Sequence, residues 1–222
     1  MQLEARLHEW RLREKNPDYR PKPAVAITRE PGCGAEAVAK RIAAELGMHL
    51  YDWELVERIA EAENVTANLV SELEQNPPSD LEEFFRELEG ICDLPPQGYF
   101  SSLKRVLLVI AIPGNAVIVG RGSNFFLPPN RKIGLCLIAP LEFRISNTMR
   151  ELGLSEKAAR KHISNVEEAH RNLARKYFRA DMREPTHYHL VLNTALVKTE
   201  TIVQMVKLMI DDTQATNQRQ ET

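Results

Sequence analysis

The sequence has few of the residues that build disulfide frameworks and metal sites. Its three cysteines, Cys33, Cys92 and Cys136, are widely separated and odd in number, which argues against a disulfide framework. No Cys-x-x-Cys pair or His/Cys cluster has the spacing of zinc ligands. Neither His162 with His170 nor His187 with His189 has a partner carboxylate at ligand spacing, so a surface or structural role is favoured for them over metal binding. We therefore predict no metal site built from the protein's own side chains.

The sequence also lacks a long hydrophobic run and an excess of charge of either sign. Its longest apolar stretch, 106–112, is far too short to span a bilayer, and the charged residues 1–10 contain no apolar core of a signal peptide. The formal net charge is −2 and the isoelectric point is near 6.3, so bulk charge does not favour a nucleic-acid partner. We predict a cytoplasmic protein with no membrane or nucleic-acid partner.

Short apolar runs alternate with amphipathic segments along the chain. We predict strands at 24–28, 48–51, 116–119, 133–138 and 190–192. The predicted helices are 35–46, 141–152, 155–179 and 199–210. This alternation predicts an α/β fold with a parallel sheet covered by helices, in which ligands bind at the carboxyl ends of the strands.

Prolines and polar residues divide the 222-residue chain. Residues 1–23 are predicted to form a helical arm, which could pack on its own domain, on a second copy of the chain or on another protein. The single α/β domain is predicted to span 24–212, with a mostly helical insertion at 53–112 and a helical lid at 155–180. A polar, frayed tail is expected after it, from about 211 or 213 to 222.

Residues 24–46 have the pattern of a strand, a glycine turn and a helix, a layout in which backbone N–H groups bind phosphate. A Walker A loop also uses a Lys and a Ser or Thr at its end. In this chain Glu36 occupies the Lys position and Ala37 the hydroxyl position. The alternative is that Gly32 and Gly34 only provide the left-handed backbone of a tight turn.

Arginines form the second candidate feature. Arg121 follows a buried strand, where a planar guanidinium could bind phosphate or carboxylate; the alternative is a surface arginine. Arg171, Arg175 and Arg179 repeat every four residues and so share one helix face, with Glu167 nearby. They predict either a lid that closes over phosphates or a solvated charged face.

Several segments, taken in order, resemble the cytidylate kinases and most closely the cytidylate kinase-like group. The Gly-Arg-Gly-Ser-Asn segment that ends at Asn124 is similar to the Gly-Arg-Gly-(Ala/Ser)-Asn segment of that group. The other similar segments are Thr28–Gly34, Tyr51–Asp52, Ala139–Arg144, Glu168–Arg171 and Tyr188–Thr194. Together they cover roughly residues 24–210.

The resemblance implies a P-loop nucleoside monophosphate kinase fold, with ATP and Mg²⁺ as the donor and CMP or dCMP as the acceptor. By matching positions, it implies that the donor phosphates lie along Gly32, Cys33, Gly34, Ala35, Glu36 and Ala37. The implied acceptor residues are Arg29, Asp52, Gly120, Arg121 and Asn124. The residues implied to approach the transferred phosphoryl group are Arg144, Arg171 and Arg175.

Two departures from the family pattern leave three functional hypotheses. Glu36 stands where the group has an arginine, so a cation is replaced by an anion. Beside one phosphate charge, at 4 Å and an effective dielectric constant of 20, this reversal would lose roughly 8 kcal/mol of electrostatic energy before the side chain relaxes. Gly122 stands where ordinary cytidylate kinases have the Asp that follows Gly-Arg. The chain could therefore be an active phosphotransferase, a degenerate nucleotide-binding regulatory or assembly subunit, or an interaction protein that uses its N-terminal arm.

Overall fold

The computed structural model describes residues 22–52, 56, 99–111 and 113–220, and in these ranges one sheet organises the chain. Its five strands are β1 (Ala24–Arg29), β2 (His49–Tyr51), β3 (Ala116–Val119), β4 (Lys132–Ile138) and β5 (Leu190–Asn193). All neighbouring strands are parallel and their order is β2-β3-β1-β4-β5. The predicted α/β class with a parallel sheet flanked by helices is confirmed.

Three of the described helices, α1, α4 and α5 in the list that follows, begin and end within one residue of the prediction. They are α1 (Ala35–Leu46), α2 (Tyr99–Ala111), α3 (Ser123–Phe126), α4 (Leu141–Leu152), α5 (Glu156–Phe178) and α6 (Thr199–Gln220). Helix α1 ends at Gly47 in the left-handed conformation, as the sequence predicts. Helix α5 begins after Ser155, whose Oγ accepts a hydrogen bond from the N–H of Ala158 at 3.4 Å.

Helix α6 is longer than the sequence analysis predicted. The predicted end was Ile210, followed by a frayed tail, but the helix continues to Gln220. Residues 211–220 contain neither Gly nor Pro, so no residue there interrupts the backbone hydrogen bonds. The hydroxyl of Thr213 donates to the carbonyl of Met209 at 2.8 Å, which keeps its hydrogen bond within the helix.

The arm and the insertion fall almost wholly outside the described residues. Of the predicted arm at 1–23 only residues 22 and 23 are described, and of the insertion at 53–112 only Val56 and residues 99–111. Both therefore stay predictions, as does any homo-oligomer formed through the arm. None of the helices in the described part of the chain is long and apolar enough to cross a membrane.

The core lies on both faces of β1. Val25 pairs in register with Val117 on one side and with Ile133 on the other. Residues facing one side of the sheet pack with Ile42 of α1 and Ile202 of α6 in one buried cluster. The intervening strand residues are also fully buried, because successive side chains of a strand point to opposite faces. A strand this deeply buried gives the residues at its end a fixed position.

The strand order creates a crevice at the carboxyl ends of β1 and β4. The chain leaves β1 toward β2 at one edge of the sheet and leaves β4 toward β5 at the other edge. Connections that diverge in this way leave a cleft between them, and ligands of open α/β sheets bind there. Helices α4 and α5, which pack together through Ile145, Ala159 and Ile163, stand beside this crevice.

The carboxyl end of α5 is fastened to the turn after β3. The ring of Phe178 is stacked on Phe125 and lies edge-on to Phe126, with both centroid distances 4.9 Å. A Cβ on Gly122 would lie 2.5 Å from Cζ of Phe178, and Gly122 has a φ of +70°. The position can therefore hold only glycine while Phe178 packs there.

We expect Gly122→Ala to destabilise the protein more than Gly153→Ala does. Both glycines have a left-handed backbone, but a Cβ on Gly153 would meet nothing within 4 Å, so its substitution carries only the backbone penalty of about 1–2 kcal/mol. The contact with Phe178 should add about 1–3 kcal/mol for overpacking. Urea unfolding of the two variants measures the difference. Equal losses of unfolding free energy would contradict the proposed packing of α5 on this turn.

Candidate active site

The glycine turn between β1 and α1 is held by three side chains from two other parts of the chain, α4 and the residue after β5. Three successive carbonyls accept hydrogen bonds: Pro31 from Nη1 of Arg144 at 3.5 Å, Gly32 from Nδ2 of Asn147 at 3.0 Å, and Cys33 from Oγ1 of Thr194 at 2.7 Å. In a trans peptide the C=O and the N–H point in opposite directions. The N–H groups of Gly32 and Gly34 therefore point away from the side chains to which the Pro31 and Cys33 carbonyls are bonded. Such N–H groups favour an anion.

Both glycines of the turn are required by the backbone. Gly32 and Gly34 each have a φ of +78°. A Cβ on Gly32 would also lie 2.5 Å from the carbonyl oxygen of Arg144 and 2.6 Å from Oγ1 of Thr148, so α4 packs directly on the turn. Gly34 is the N-cap of α1 and provides no side-chain cap. The first N–H groups of α1 therefore keep the hydrogen-bonding capacity typical of a helix N-terminus.

The remaining residues of the predicted phosphate loop differ in exposure. Cys33 is buried, and burial raises the pKa of its thiol to about 11, so it is a thiol in the core and not a reactive thiolate. Ala35 is also buried, whereas Glu36 and Ala37 are exposed. An acidic residue in the first turn is favourable for a helix, which gives Glu36 a structural reason to be there.

A cavity of about 500 Å³ lies at the carboxyl ends of β1, β4 and β5. We call it the larger compartment. Its charged lining includes Arg29, Glu30, Arg144, Glu167, Arg171 and Arg183. The arginines come from β1, from α4, from α5 and from the segment after α5, so four separate parts of the chain bring positive charge to one place.

Three of these arginines surround the carboxylate of Glu167. Arg144 Nη1 lies 2.7 Å from Glu167 Oε1, and Oε2 is 3.6 Å from Nη1 of Arg171 and 3.5 Å from Nη2 of Arg183. The Glu167 side chain is 18% exposed, which limits screening by water. A carboxylate in the centre of three guanidinium groups marks a position where the protein favours an anion.

Arg144 is the most buried of the three and joins the turn to the sheet. Its Nε donates to the carbonyl of Ala139 at 3.0 Å and lies 3.4 Å from Oε2 of Glu30. The same Glu30 oxygen accepts a hydrogen bond from the N–H of Ala139 at 3.1 Å. Since its side chain is 7% exposed, Arg144 holds the turn and α4 together, and any contact with phosphate would be made from this fixed position.

A second cavity, of about 230 Å³, adjoins the first and is lined by Arg29, Gly120, Arg121 and His170. We call it the smaller compartment. The two share Arg29 and His170, so they form one cleft under α5. A Cβ on Gly120 would lie 2.8 Å from Nη1 of Arg29, so the guanidinium passes directly over this glycine. Arg121 has a left-handed backbone, with a φ of +55°.

The electrostatics of the smaller compartment favour a neutral imidazole. Burial lowers the pKa of His170, and the positive charges of Arg29 and Arg121 lower it further, while Glu167 acts in the opposite direction. Burial also lowers the pKa of Arg29, and the nearby charge of Glu36 opposes that effect. An anion bound between these arginines would make protonation of His170 easier.

The structure brings together five of the predicted site residues and leaves others outside the cleft. Arg29, Gly120, Arg121, Arg144 and Arg171 line one or both compartments. The exposed residues Asp52, which follows β2, and Arg175, one turn beyond Arg171, are in the lining of neither. The predicted role of these last two residues therefore has no support from the geometry of the described residues.

Asn124, predicted at the acceptor site, contacts the segment before β5. Its side chain is buried, its Nδ2 donates to the carbonyl of His187 at 3.0 Å, and its Oδ1 lies against Gly134 of β4. These contacts hold the segment before β5 to the sheet. Asn124 is in the lining of neither compartment, so its predicted role at the acceptor site has no support from this geometry and stays a prediction.

Sequence reasoning missed several residues that line the cleft. Glu167 was noted only as a residue near the repeated arginines, although its spacing of four residues from Arg171 predicts an ion pair on the helix. For His170 a surface or structural role was predicted, and for Arg183 none. Nothing local marks Arg183, because its position depends on how the segment after α5 folds back.

We expect Thr194→Val to weaken anion binding at the glycine turn and to lower stability by about 0.5–1.5 kcal/mol, because the Cys33 carbonyl loses its side-chain donor. Thr213→Val is the matched control, since it also removes a hydroxyl that donates to a carbonyl, but within α6. Calorimetry with inorganic tripolyphosphate and thermal unfolding measure both effects. Unchanged tripolyphosphate affinity in Thr194→Val would contradict the role given to this hydrogen bond.

Two known proteins are similar to this chain in sequence. The chain is similar to a cytidylate kinase of Ignicoccus hospitalis, 28% identical over 84% of this chain and 98% of that protein. It is also similar to a cytidylate kinase of Pyrococcus horikoshii, 24% identical over 86% of this chain and 89% of that one.

A solved structure and a family profile are also similar to this chain. An uncharacterized protein from Eubacterium ventriosum has the same fold, with a TM-score of 0.64 at 20% identity over 86% of this chain and 99% of that chain. The profile of the cytidylate kinase-like family matches residues 24–196, most of the chain and all five strands. The protein belongs to the cytidylate kinase-like family.

Proposed function

We propose that this protein is a cytoplasmic kinase that transfers the γ-phosphoryl group of ATP to CMP or dCMP. The observation that carries the proposal is the convergence of Arg29, Arg121, Arg144 and Arg171 on one cleft beside a glycine turn. Phosphoryl transfer requires little covalent chemistry from the protein and depends on positioning and on stabilising charge. Guanidinium groups suit that task because they bind phosphate oxygens in a bidentate manner.

The glycine turn is the proposed donor site. The N–H groups of the turn and of the first turn of α1 would bind the phosphates of ATP, which enters as its Mg²⁺ complex. In the described residues no group of three or more His, Cys, Asp or Glu side chains could hold a metal ion. A magnesium ion carried by a triphosphate needs no such cluster, because it keeps several waters and uses one or two carboxylates. Glu30 and Asp181 are carboxylates in the lining of the larger compartment.

The smaller compartment is the proposed acceptor site, with Arg29 and Arg121 on the monophosphate. Selectivity for cytosine would have to come from residues other than 122, because Phe178 leaves no room for a carboxylate there. CMP and dCMP are proposed because the similar proteins of Ignicoccus hospitalis and Pyrococcus horikoshii are cytidylate kinases.

Glu36 favours a second candidate, a nucleotide-binding regulatory or assembly subunit without transferase activity. Its carboxylate stands at the Lys position of the loop and near Arg29, where it would repel a phosphate. A coupled assay of the wild type with ATP, Mg²⁺ and each of CMP, dCMP, UMP and AMP separates the two candidates. Turnover with CMP or dCMP supports the kinase; transfer to none of them supports the subunit.

We expect Arg171→Ala to lower kcat for phosphoryl transfer by about 10²–10³-fold, because its guanidinium would stabilise charge on the transferred group. The unfolding free energy should change little, since the side chain is 39% exposed and its ion pair is partly screened. Lys161→Ala, which removes an exposed cation from the same helix outside the cleft, is the matched control. Equal kcat values for the two variants would remove Arg171 from the mechanism.

We expect Glu36→Lys to tighten ATP binding several-fold at low salt, because it replaces a repulsive charge with an attractive one beside the phosphates. The gain should shrink at high salt, since Glu36 is exposed and its charge is screened there. Calorimetry with ATP and Mg²⁺ at two salt concentrations measures it. Glu45→Lys makes the same charge reversal at the far end of α1, so an equal gain there would show a non-specific effect.

A further inference from the structure

The segment that joins α5 to β5 is fastened by its own side chains. The N–H of Arg183 donates to Oδ1 of Asp181 at 2.9 Å, and the N–H of Thr186 donates to Oε1 of Glu184 at 3.1 Å. The hydroxyl of Tyr188 donates to the carbonyl of Met182 at 2.8 Å. These three contacts lie on both sides of Arg183 and give its Cα a defined position at the edge of the larger compartment.

The guanidinium of Arg183 points to the glycine turn. Its Nη2 lies 3.5 Å from Oε2 of Glu167 and 4.0 Å from Oε1 of Glu30, the residue that begins the turn. The side chain is 59% exposed, so it remains accessible to a ligand while it contacts the lining of the cavity. Its charge therefore stands beside the loop in which Glu36 has replaced the usual cation.

The other cations near the turn are less suited to that task. Arg144 is buried and is committed to Glu30, Glu167 and backbone carbonyls. Lys40 is exposed on α1 and is not in the lining of either compartment. Arg171 also lines the larger compartment, but its side chain is 39% exposed and pairs with Glu167, whereas that of Arg183 is 59% exposed and also lies 4.0 Å from Glu30. Arg183 therefore combines access to solvent, a place in the cavity lining and a contact with the start of the turn.

We infer that Arg183 is a phosphate-binding residue that replaces the cation missing from the glycine turn, and that Glu167 occupies the anion position until phosphate arrives. The inference rests on the proposed function for the identity of the ligand, a nucleoside triphosphate. On binding, a phosphate oxygen takes the place of the Glu167 carboxylate beside Arg183. Residue 183 would then have to be an arginine or a lysine, and the hydrogen-bonded segment around it would be part of the site.

The first test measures the affinity of the full chain for inorganic tripolyphosphate and for ATP with Mg²⁺ by calorimetry. Arg183→Ala should weaken both by about tenfold or more at low salt and by less at high salt, because a charge-assisted hydrogen bond is lost. Arg183→Lys should keep part of the affinity. Arg41→Ala is the matched control, since it removes an equally half-exposed arginine that pairs with a glutamate, Glu45, on the surface of α1. Affinities for Arg183→Ala equal to those for Arg41→Ala would overturn the inference.

The second test asks whether Arg183 and position 36 serve the same phosphate group. Glu36→Lys should improve tripolyphosphate binding more in the Arg183→Ala background than in the wild type, because the new lysine then restores the cation that the first substitution removed. Gains in affinity of equal size in both backgrounds would show that the two positions act independently. That result would overturn the inference that Arg183 replaces the missing cation.

The CMP phosphorylation assay keeps this inference distinct from the proposed function. Tripolyphosphate binding that depends on Arg183, in a protein that phosphorylates no nucleotide, would refute the kinase and leave the phosphate site in place. Phosphorylation of CMP at the same rate in Arg183→Ala and Arg41→Ala, with unchanged affinities, would support the kinase and refute the role of Arg183.

Discussion

The buried guanidinium of Arg144 is the interaction on which the geometry of the cleft depends. It contacts the carboxylate of Glu30 at the end of β1, the carbonyl of Pro31 in the glycine turn and the carboxylate of Glu167 on α5. Removing one partner of a buried ion pair costs about 3–5 kcal/mol, because the other charge is left without compensation. The position of the turn and the position of α5 are therefore coupled through one side chain.

The positive charge of the cleft is partly neutralised by the carboxylate of Glu167. Arginines from several segments would repel one another in a half-buried space, and Glu167 offsets three of them. Burial and the arginine neighbours of His170 lower its pKa, which favours the uncharged imidazole. A bound polyphosphate would pair with these arginines in place of the Glu167 carboxylate. A site that suits anions can for this reason remain folded without one.

Local signals made most of the fold predictable. Gly47 after an amphipathic run marks the end of α1, and Ser155 marks the start of α5. The apolar run 116–119 is β3, with the bounds predicted for it. The end of α6 was wrong by ten residues, because the residues after Ile210 contain no signal that stops a helix. Where a signal lies within a few residues of the helix or strand end that it controls, the sequence alone is enough to predict that end.

The sequence by itself determined the order of the elements, the glycine turn and the family. Only the tertiary structure decided that Asn124 donates to the carbonyl of His187, that Phe178 excludes a side chain at residue 122, and that Arg183 reaches the turn. The physical reason is distance along the chain. Asn124 and His187 are 63 residues apart, and Thr194 and Cys33 are 161 apart. Such contacts leave no periodic pattern in the sequence, because they exist only when the packed sheet brings the ends of its strands together.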